Sequence, residues 1–373
     1  METLTKEIQW LDLAKELGKD FEKRASDYDR DAAFVEKNYE QLKEYGFLSA
    51  TIPAELGGGE ISHSEMCNVL RIFGQHCSST ALALSMHQHL IAATIWKYKQ
   101  GQGGEDVLKK VVQKNLVLVS TGARDWLESN GEMQKTERGY LVSAQKHFAS
   151  QSSGGDVLVT SAPFEDPEDG WQVLHFSVPF TAEGLKVMDN WYTMGMRGTG
   201  SNTVILDNVF VPESAIVQKR QRGTFNPFWS MVLTVAMPMI MSVYVGIAER
   251  AARIAIEQIK KREVQKDHIT FMIGEMNNEL TSAQVQWKDM VSICNNLDFK
   301  PSDEKASSIL TRKTNVVKSC INTVAKAMEI VGAQSFFVSL GLERLFRDVQ
   351  ASKYHPLTEK DQQLFTGEFL LRD

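Results

Sequence analysis

Apolar residues recur at helical spacing through the first third of the chain. Val35, Tyr39, Leu42 and Tyr45 fall at i, i+4, i+7 and i+10, the stripe of an amphipathic helix. Gly46 follows at once, where a left-handed cap costs least. The run Ile52-Pro53-Ala54-Glu55-Leu56-Gly57-Gly58-Gly59 predicts a tight turn. It lacks G-x-G-x-x-G spacing behind a strand and so is not a phosphate cradle. Ser79 to Tyr98 predicts a second, mainly apolar helix that carries His87 and His89.

Between about 116 and 225 the pattern shortens. Leu116 to Val119, Gly139 to Val142, Val157 to Val159 and Val173 to Phe176 are short runs of β-formers, with Gly154-Gly155 and the acidic stretch Glu165 to Gly170 as turns. Thr203 to Leu206 and Val209 to Val211 continue it up to Pro212. Close strands without βαβ alternation predict an antiparallel barrel or sandwich and argue against a Rossmann domain.

Helical spacing then returns. Ile269, Met272, Met276, Leu280, Ala283, Trp287, Met290, Cys294 and Leu297 step by three or four residues. At about 1.5 Å per residue this rod exceeds roughly 40 Å, the scale of a bundle. A second rod, from about Glu304 to Val331, turns Ile309, Val316, Cys320, Val324 and Val331 inward. The expected class is α+β, mainly α. It comprises a helical N-terminal domain over 1–115, a β-barrel middle domain over 116–225 and a C-terminal four-helix bundle over 226–373.

The composition fits a packed protein. Of 373 residues, 43% are hydrophobic and 24% charged, which excludes disorder. Forty-one basic against 47 acidic residues give a net charge of −6, leaving no basic field for a nucleic-acid backbone. Cys67, Cys77, Cys294 and Cys320 show no C-x-x-C spacing and no histidine pair at ligand intervals. Neither a disulfide framework nor a metal site is indicated, and reduced thiols in a cytoplasmic setting are the expectation. Met1 to Arg24 is charged throughout and shows no apolar leader core. Trp229 to Val245 carries no charge, but it falls short of the ~20 residues a membrane span needs and contains Pro238. A buried bundle helix is the reading.

Specific residues narrow this order of parts. Met194-Gly195-Met196-Arg197-Gly198-Thr199-Gly200-Ser201, followed by Val204 to Pro212, resembles the end of the β-domain in the acyl-CoA dehydrogenase superfamily. Tyr140 to Ser150, ending Lys146-His147-Phe148-Ala149-Ser150, resembles that family's second flavin-contacting strand. Ile52 to Gly59 is similar in outline to its Pro-Glu-Gly-Gly loop. Ala327 to Phe336 and Arg344 to Asp348 resemble its subunit-interface helix and the Arg-Asp pair beyond. The matches keep the family's order over nearly the whole chain.

The resemblance implies an FAD flavoprotein, assembled as a homodimer or homotetramer, with the flavin ring between the β-domain and the C-terminal bundle. Leu118, Ser120 and Thr121 would line the ring from the first strand, and Phe148 and Ser150 from the second. A flavin needs backbone and hydroxyl donors where charge develops on reduction. Capping of strand edges is the plain alternative for the serines and threonine. Arg262 falls where an arginine reaches the neighbour's FAD, and Gly332 falls in the Gly-Gly step near its pyrophosphate. There the chain departs. The segment after Arg262 is short and lacks a Phe-Gly pair, Glu329 stands for a glutamine, and Ala333 replaces the second glycine. A carboxylate beside a pyrophosphate repels it unless a cation or proton intervenes, which brings FMN in beside FAD.

A dehydrogenase of this family removes the α-proton of an acyl thioester while hydride passes to flavin. A desolvated carboxylate of raised pKa must face that proton. The two places where the family carries its glutamate here read Lys353-Tyr354-His355-Pro356 and Val235-Ala236-Met237, and neither offers one. Asp125 and Glu128 are the substitute candidates, against the simpler reading of a solvated loop. The chain also resembles the superfamily's flavin monooxygenases, in which reduced flavin and O2 give a C4a-hydroperoxide. Those enzymes use a histidine near the C-terminus and a serine on the second flavin strand, and His355 and Ser150 match. His87 or His89 joins that site or is a satisfied core residue, since the two face different ways. Met231, Met237, Met239 and Met241 wall a substrate pocket or simply pack.

The expected activity is acyl-CoA dehydrogenase-like oxidation of a thioester or related substrate. Reduced-flavin monooxygenation is the alternative, and a non-catalytic flavin-binding scaffold is a third. The partners implied are a small-molecule substrate such as an acyl-CoA, and an electron-transfer flavoprotein or a flavin reductase.

Overall fold

The computed structural model describes residues 9–122, 128–224, 226–262 and 267–372. The first lobe is built from α1 (Trp10–Asp31), α2 (Glu36–Glu44), α3 (His63–His76), α4 (Ser78–Lys99) and α5 (Glu105–Lys114). Helix α2 stops as its sequence requires. Gly46 takes φ +75° and the Phe47 N–H returns to the Leu42 carbonyl at 2.8 Å, so Tyr45 leaves the buried stripe. Helix α3 opens on Ser62, whose hydroxyl accepts the Glu65 N–H at 3.1 Å.

The middle region holds β1 (Leu118–Ser120), β2 (Glu132–Thr136), β3 (Gly139–Lys146), β4 (Val157–Asp166), β5 (Gly170–Pro179), β6 (Leu185–Val187), β7 (Val204–Pro212) and β8 (Ile216–Gln221). The expected barrel is not closed. The strands form two four-stranded sheets, ordered β1-β4-β5-β8 and β2-β3-β7-β6, each with its own edges. Nor is the pairing wholly antiparallel, because β1 lies parallel to β4. After β1 the chain crosses to the other sheet to build the β2–β3 hairpin before β4 returns in the original direction. The inner faces, with Leu158, Leu174 and Phe176 from one sheet and Val142, Val204 and Val209 from the other, make a separate apolar core.

The last third contains α6 (Pro227–Lys260), α7 (Asp267–Cys294), α8 (Asp303–Val331), α9 (Leu342–Val349) and α10 (Glu359–Leu370). Helix α6 is long and apolar enough to cross a membrane, yet its apolar stretch is entirely buried in protein. It runs against α7 and α8 and is covered on its other side by α3 and α4. Around Pro238 the backbone carbonyl gains extra donors, Ser242 Oγ at 2.7 Å and Trp287 Nε1 at 3.2 Å. The fourth member against α8 is α10, only 12 residues long. The helices of the first and last thirds therefore share one apolar core. Cys67, Cys77, Cys294 and Cys320 are buried free thiols within it.

Two consecutive residues of α9 tie the three regions together. Arg347 pairs with Asp29 of α1 at 2.6 Å and donates to the Met194 carbonyl at 2.9 Å. Asp348 is 2% exposed; it accepts the Ser78 hydroxyl at 2.7 Å and the Met196 N–H at 2.5 Å.

Candidate functional site

The end of β1 and the loop after β3 meet at one place. The Gly122 N–H donates to the His147 carbonyl at 2.9 Å, and a Cβ at 122 would stand 2.9 Å from that same oxygen. Only glycine permits so close an approach. Buried Gln151 locks the junction. Its Nε2 donates to the Leu118 carbonyl at 2.7 Å, its N–H to the Thr199 carbonyl at 2.8 Å, and its side-chain oxygen receives the Tyr39 hydroxyl. These contacts bring Leu118, Ser120 and Thr121 together with Phe148 and Ser150.

Leu118 differs from the others. Its N–H is taken by His87 Nδ1 at 3.0 Å and its carbonyl by Gln151, and its side chain is buried. His87 Nε2 meets the Leu48 carbonyl at 2.9 Å. His87 is thus a satisfied core residue that anchors β1.

The hydroxyls beside it form a chain. Thr199 and Ser201 lie 2.7 Å apart, and Ser201 donates to Ser150 at 2.9 Å. Ser150 accepts there, so its own proton has no acceptor among the described residues. Thr121 Oγ1 is 3.2 Å from Thr160 Oγ1. Phe148 sits at φ +54°, is 60% exposed, and meets Trp191 edge-on at 5.9 Å. A bulky residue in the left-handed region costs on the order of 1–3 kcal/mol, strain of a kind that gathers at ligand sites. A buried hydroxyl with an uncommitted proton beside an exposed aromatic wall fits a flat, polar-edged ring system such as flavin.

A second polar group lies in the helical core. The Tyr244 hydroxyl is 2.6 Å from His355 Nε2. Burial pushes the His355 imidazole down to about 3, with the charges of Lys313 and His89 acting in the same direction. His89 is buried, with Nδ1 3.3 Å from the Ser85 carbonyl, and burial lowers it to about 4. Lys313 donates to the carbonyls of His355 and Leu357, each at 2.9 Å.

Among the described residues no buried carboxylate is free to act as a base of the dehydrogenase kind. Glu128 is exposed on the turn before β2, with its carbonyl held by Arg222 Nε at 3.1 Å. Asp125 lies outside the described residues. Burial raises the pKa of Asp348, but both its oxygens are already engaged by Ser78 and Met196.

Arg262 and Gly332 come together at the end of α8. Arg262 Nη2 donates to the Val331 carbonyl at 2.7 Å, and Gly332 adopts φ +74°, ψ −149° with open space around it. Glu329 is offset by a cation. Lys326 lies 3.1 Å from it and 3.0 Å from Glu275. The methionines of α6 are core residues. Met239 also borders a cavity of about 260 Å³ beside His63, Ala92 and Ile95, and Met231 borders a cleft of about 400 Å³ beside Trp96 and Phe228.

Tyr244, Gln151 and Lys313 were not singled out from sequence. Lys313 had a signal, a lysine on the inner stripe between Leu310 and Val317. Tyr244 had a weaker one, a phenol inside an apolar run. Gln151 had none.

Comparison with known proteins accords with this architecture. The acyl-CoA dehydrogenase N-terminal domain family matches residues 9–114, and the acyl-CoA dehydrogenase C-terminal domain family matches residues 238–360. A putative acyl-CoA dehydrogenase of Bacillus subtilis is 26% identical, with 93% of each chain covered. An amino sugar nitrososynthase of Streptomyces peucetius is 24% identical over 97% of this chain and 92% of that one. FMN-bound TdsC from Paenibacillus sp. A11-2 superposes with a TM-score of 0.85 at 18% identity, covering 98% of this chain and 97% of that one. With both terminal helical regions matched and a β region between them, the chain belongs to the acyl-CoA dehydrogenase superfamily of flavin-dependent oxidoreductases.

Proposed function

We propose that this member is a monooxygenase that uses reduced flavin and O2. The observation that carries the reading is the neutral His355–Tyr244 pair, Tyr244 fully buried and His355 half-buried, with His355 in one of the two segments where the resemblance expects a dehydrogenase's glutamate. A neutral imidazole sharing a proton with a phenol is a weak base for a thioester α-proton, but it suits proton exchange with an oxygen centre. The nitrososynthase relative and TdsC support the same direction.

Thr121 and Ser150 would hold the flavin's polar edge, and Phe148 its apolar face. The chemistry a reduced flavin would supply when held there is two electrons for O2, with two more from the substrate, so that one oxygen atom would enter the substrate and the other leave as water. Ser150 offers its uncommitted proton at Oγ. The His355–Tyr244 pair gives or takes a proton at Nε2. Buried neighbours such as His89 and Ser352 keep bulk water from this corner. The substrate class is a small molecule with an electron-rich nitrogen or sulfur. The electrons come from a flavin reductase. FMN and FAD both fit the ring contacts. Exposed Phe336, Phe337 and Val338, at 84%, 66% and 72%, support a second copy of the chain covering the segment after Gly332.

Thioester dehydrogenation is the second reading, favoured by the Bacillus relative. One experiment separates them. Protein loaded with FMN or FAD is mixed with an acyl-CoA panel without oxygen, then reduced and mixed with ¹⁸O2 and a panel of amines and thioethers. Label in the product, with no bleaching by any acyl-CoA, is expected. Bleaching by an acyl-CoA without label incorporation overturns the proposal.

A further inference from the structure

A lysine on the apolar stripe of a bundle helix is anomalous. Lys313 lies on α8 among buried Ile309, Leu310, Val316 and Val317, and is itself 1% exposed. Taking an ammonium out of water costs several kcal/mol unless it is well bonded. Among the described residues no carboxylate lies within 4 Å of its Nζ. Its acceptors are the carbonyls of His355 and Leu357, both at 2.9 Å. They flank Pro356, which has no N–H of its own to fix the turn.

Neutral Tyr244 faces His355 from α6 and neutral His89 from α4, while Lys313, which burial lowers to about 8 and which is therefore still mainly charged at pH 7, faces it from α8. Asp348 of α9 influences Tyr244, and Glu359, at the start of α10, influences Lys313. No carboxylate pairs with the imidazole among the described residues. A leucine at 313 would continue the apolar stripe without a desolvation penalty. A cation there has two effects that leucine lacks, a two-point hold on the backbone and a positive charge beside the ring.

We propose that Lys313 is a positioning residue for His355, pinning the carbonyls at 355 and 357 and keeping a positive charge beside the imidazole. The two-point hold accounts for how a segment outside any long helix presents its ring to Tyr244. The charge disfavours a second proton on that ring, consistent with the low value that burial already imposes. The link to turnover rests on the monooxygenase reading; the positioning itself does not.

The test follows ¹³C-histidine signals across pH in the full chain without flavin, with His355→Gln identifying the resonance. Wild-type His355 should stay neutral from pH 8 to pH 5. At pH 7, where His355 is neutral, Lys313→Met should shift and broaden its ring signals as the two-point hold on its segment is lost, and Lys313→Arg should restore most of the wild-type signal. In the loaded enzyme, Lys313→Met should lower kcat about tenfold or more and leave KM for reduced flavin unchanged. A folded Lys313→Met protein whose His355 ring signals match wild type overturns the proposal. Should Lys313→Met fail to fold, Lys313→Gln, which keeps donors without charge, decides by the same comparison. Shifted ring signals with no oxygenation would sink the monooxygenase reading while leaving the positioning role intact.

Discussion

Tyr244 and His355, 111 residues apart in sequence, share a 2.6 Å hydrogen bond in the helical core. It ties the longest helix of the protein to the segment that leads into its last one. His355→Ala should lower oxygenated product about 10²-fold, the scale of a lost proton-transfer group. Tyr244→Phe should cost less, about tenfold. Hydrogen peroxide should rise in both as the product falls, and flavin affinity should hold. Full coupling of oxygen use to product in His355→Ala would remove the pair from the reaction.

Acid should unfold the protein early. Burial holds His63, His87 and His89 down to about 4, and His175 and His355 down to about 3. The unfolded chain binds protons at the ordinary imidazole value of about 6.5, so it takes up more protons than the folded one below that pH. Stability is therefore intact above about 6.5 and declines as pH falls toward 4 and then 3. Five such groups give a limiting slope of about 7 kcal/mol per pH unit, enough to exhaust a typical domain's stability. Melting curves should be flat from pH 7 to 8 and fall steeply below 6. A Tm at pH 5 equal to that at pH 7.5 would contradict the buried, neutral assignment.

Asp348→Ala should be costly although Asp348 touches no proposed reactant. It strands the Ser78 hydroxyl and the Met196 N–H in a buried site, each worth about 1–3 kcal/mol. A loss of about 2–5 kcal/mol in urea unfolding is expected. Asp348→Asn, which keeps one acceptor oxygen, should lose less. Equal stability of all three proteins would mean that water replaces the carboxylate.

The Arg262 and Gly332 corner should distinguish the two flavins. Arg262→Ala should weaken FAD binding about tenfold and FMN binding far less, because FMN lacks the adenylate half. Gly332→Ala should destabilise by about 1–3 kcal/mol despite the open space beside it, since φ +74°, ψ −149° suits glycine alone. Titration of apoprotein with both flavins gives the first answer, and thermal melting the second. Identical losses for FAD and FMN in Arg262→Ala would detach that residue from the cofactor's far end.

Much of this architecture could be read from periodicity. The stripes from Ile269 to Leu297 and from Ile309 to Val331 gave α7 and α8, and the clustered β-formers gave most strands. Closure of the sheets could not be read, because strand content says nothing about which edges pair; the parallel β1–β4 ladder depends on where the chain goes between them. Ser150 and Thr121 were candidates through resemblance alone, and the hydroxyl chain that runs from Ser150 through Ser201 to Thr199 shows only in three dimensions. His87 shows the limit in the other direction. Its residue type suggested chemistry, while its partners are the Leu48 carbonyl and the Leu118 N–H.

The paired anchors at Arg347 and Asp348 constrain how reactants arrive. A hinge that swung the sheets away from the helices would break the Arg347 bond to the Met194 carbonyl and the buried Asp348 bond to the Met196 N–H at once. Entry and exit must instead use small local movements at the rim of a rigid frame. Such a frame favours compact guests and lets the interior chemistry proceed without large-scale breathing.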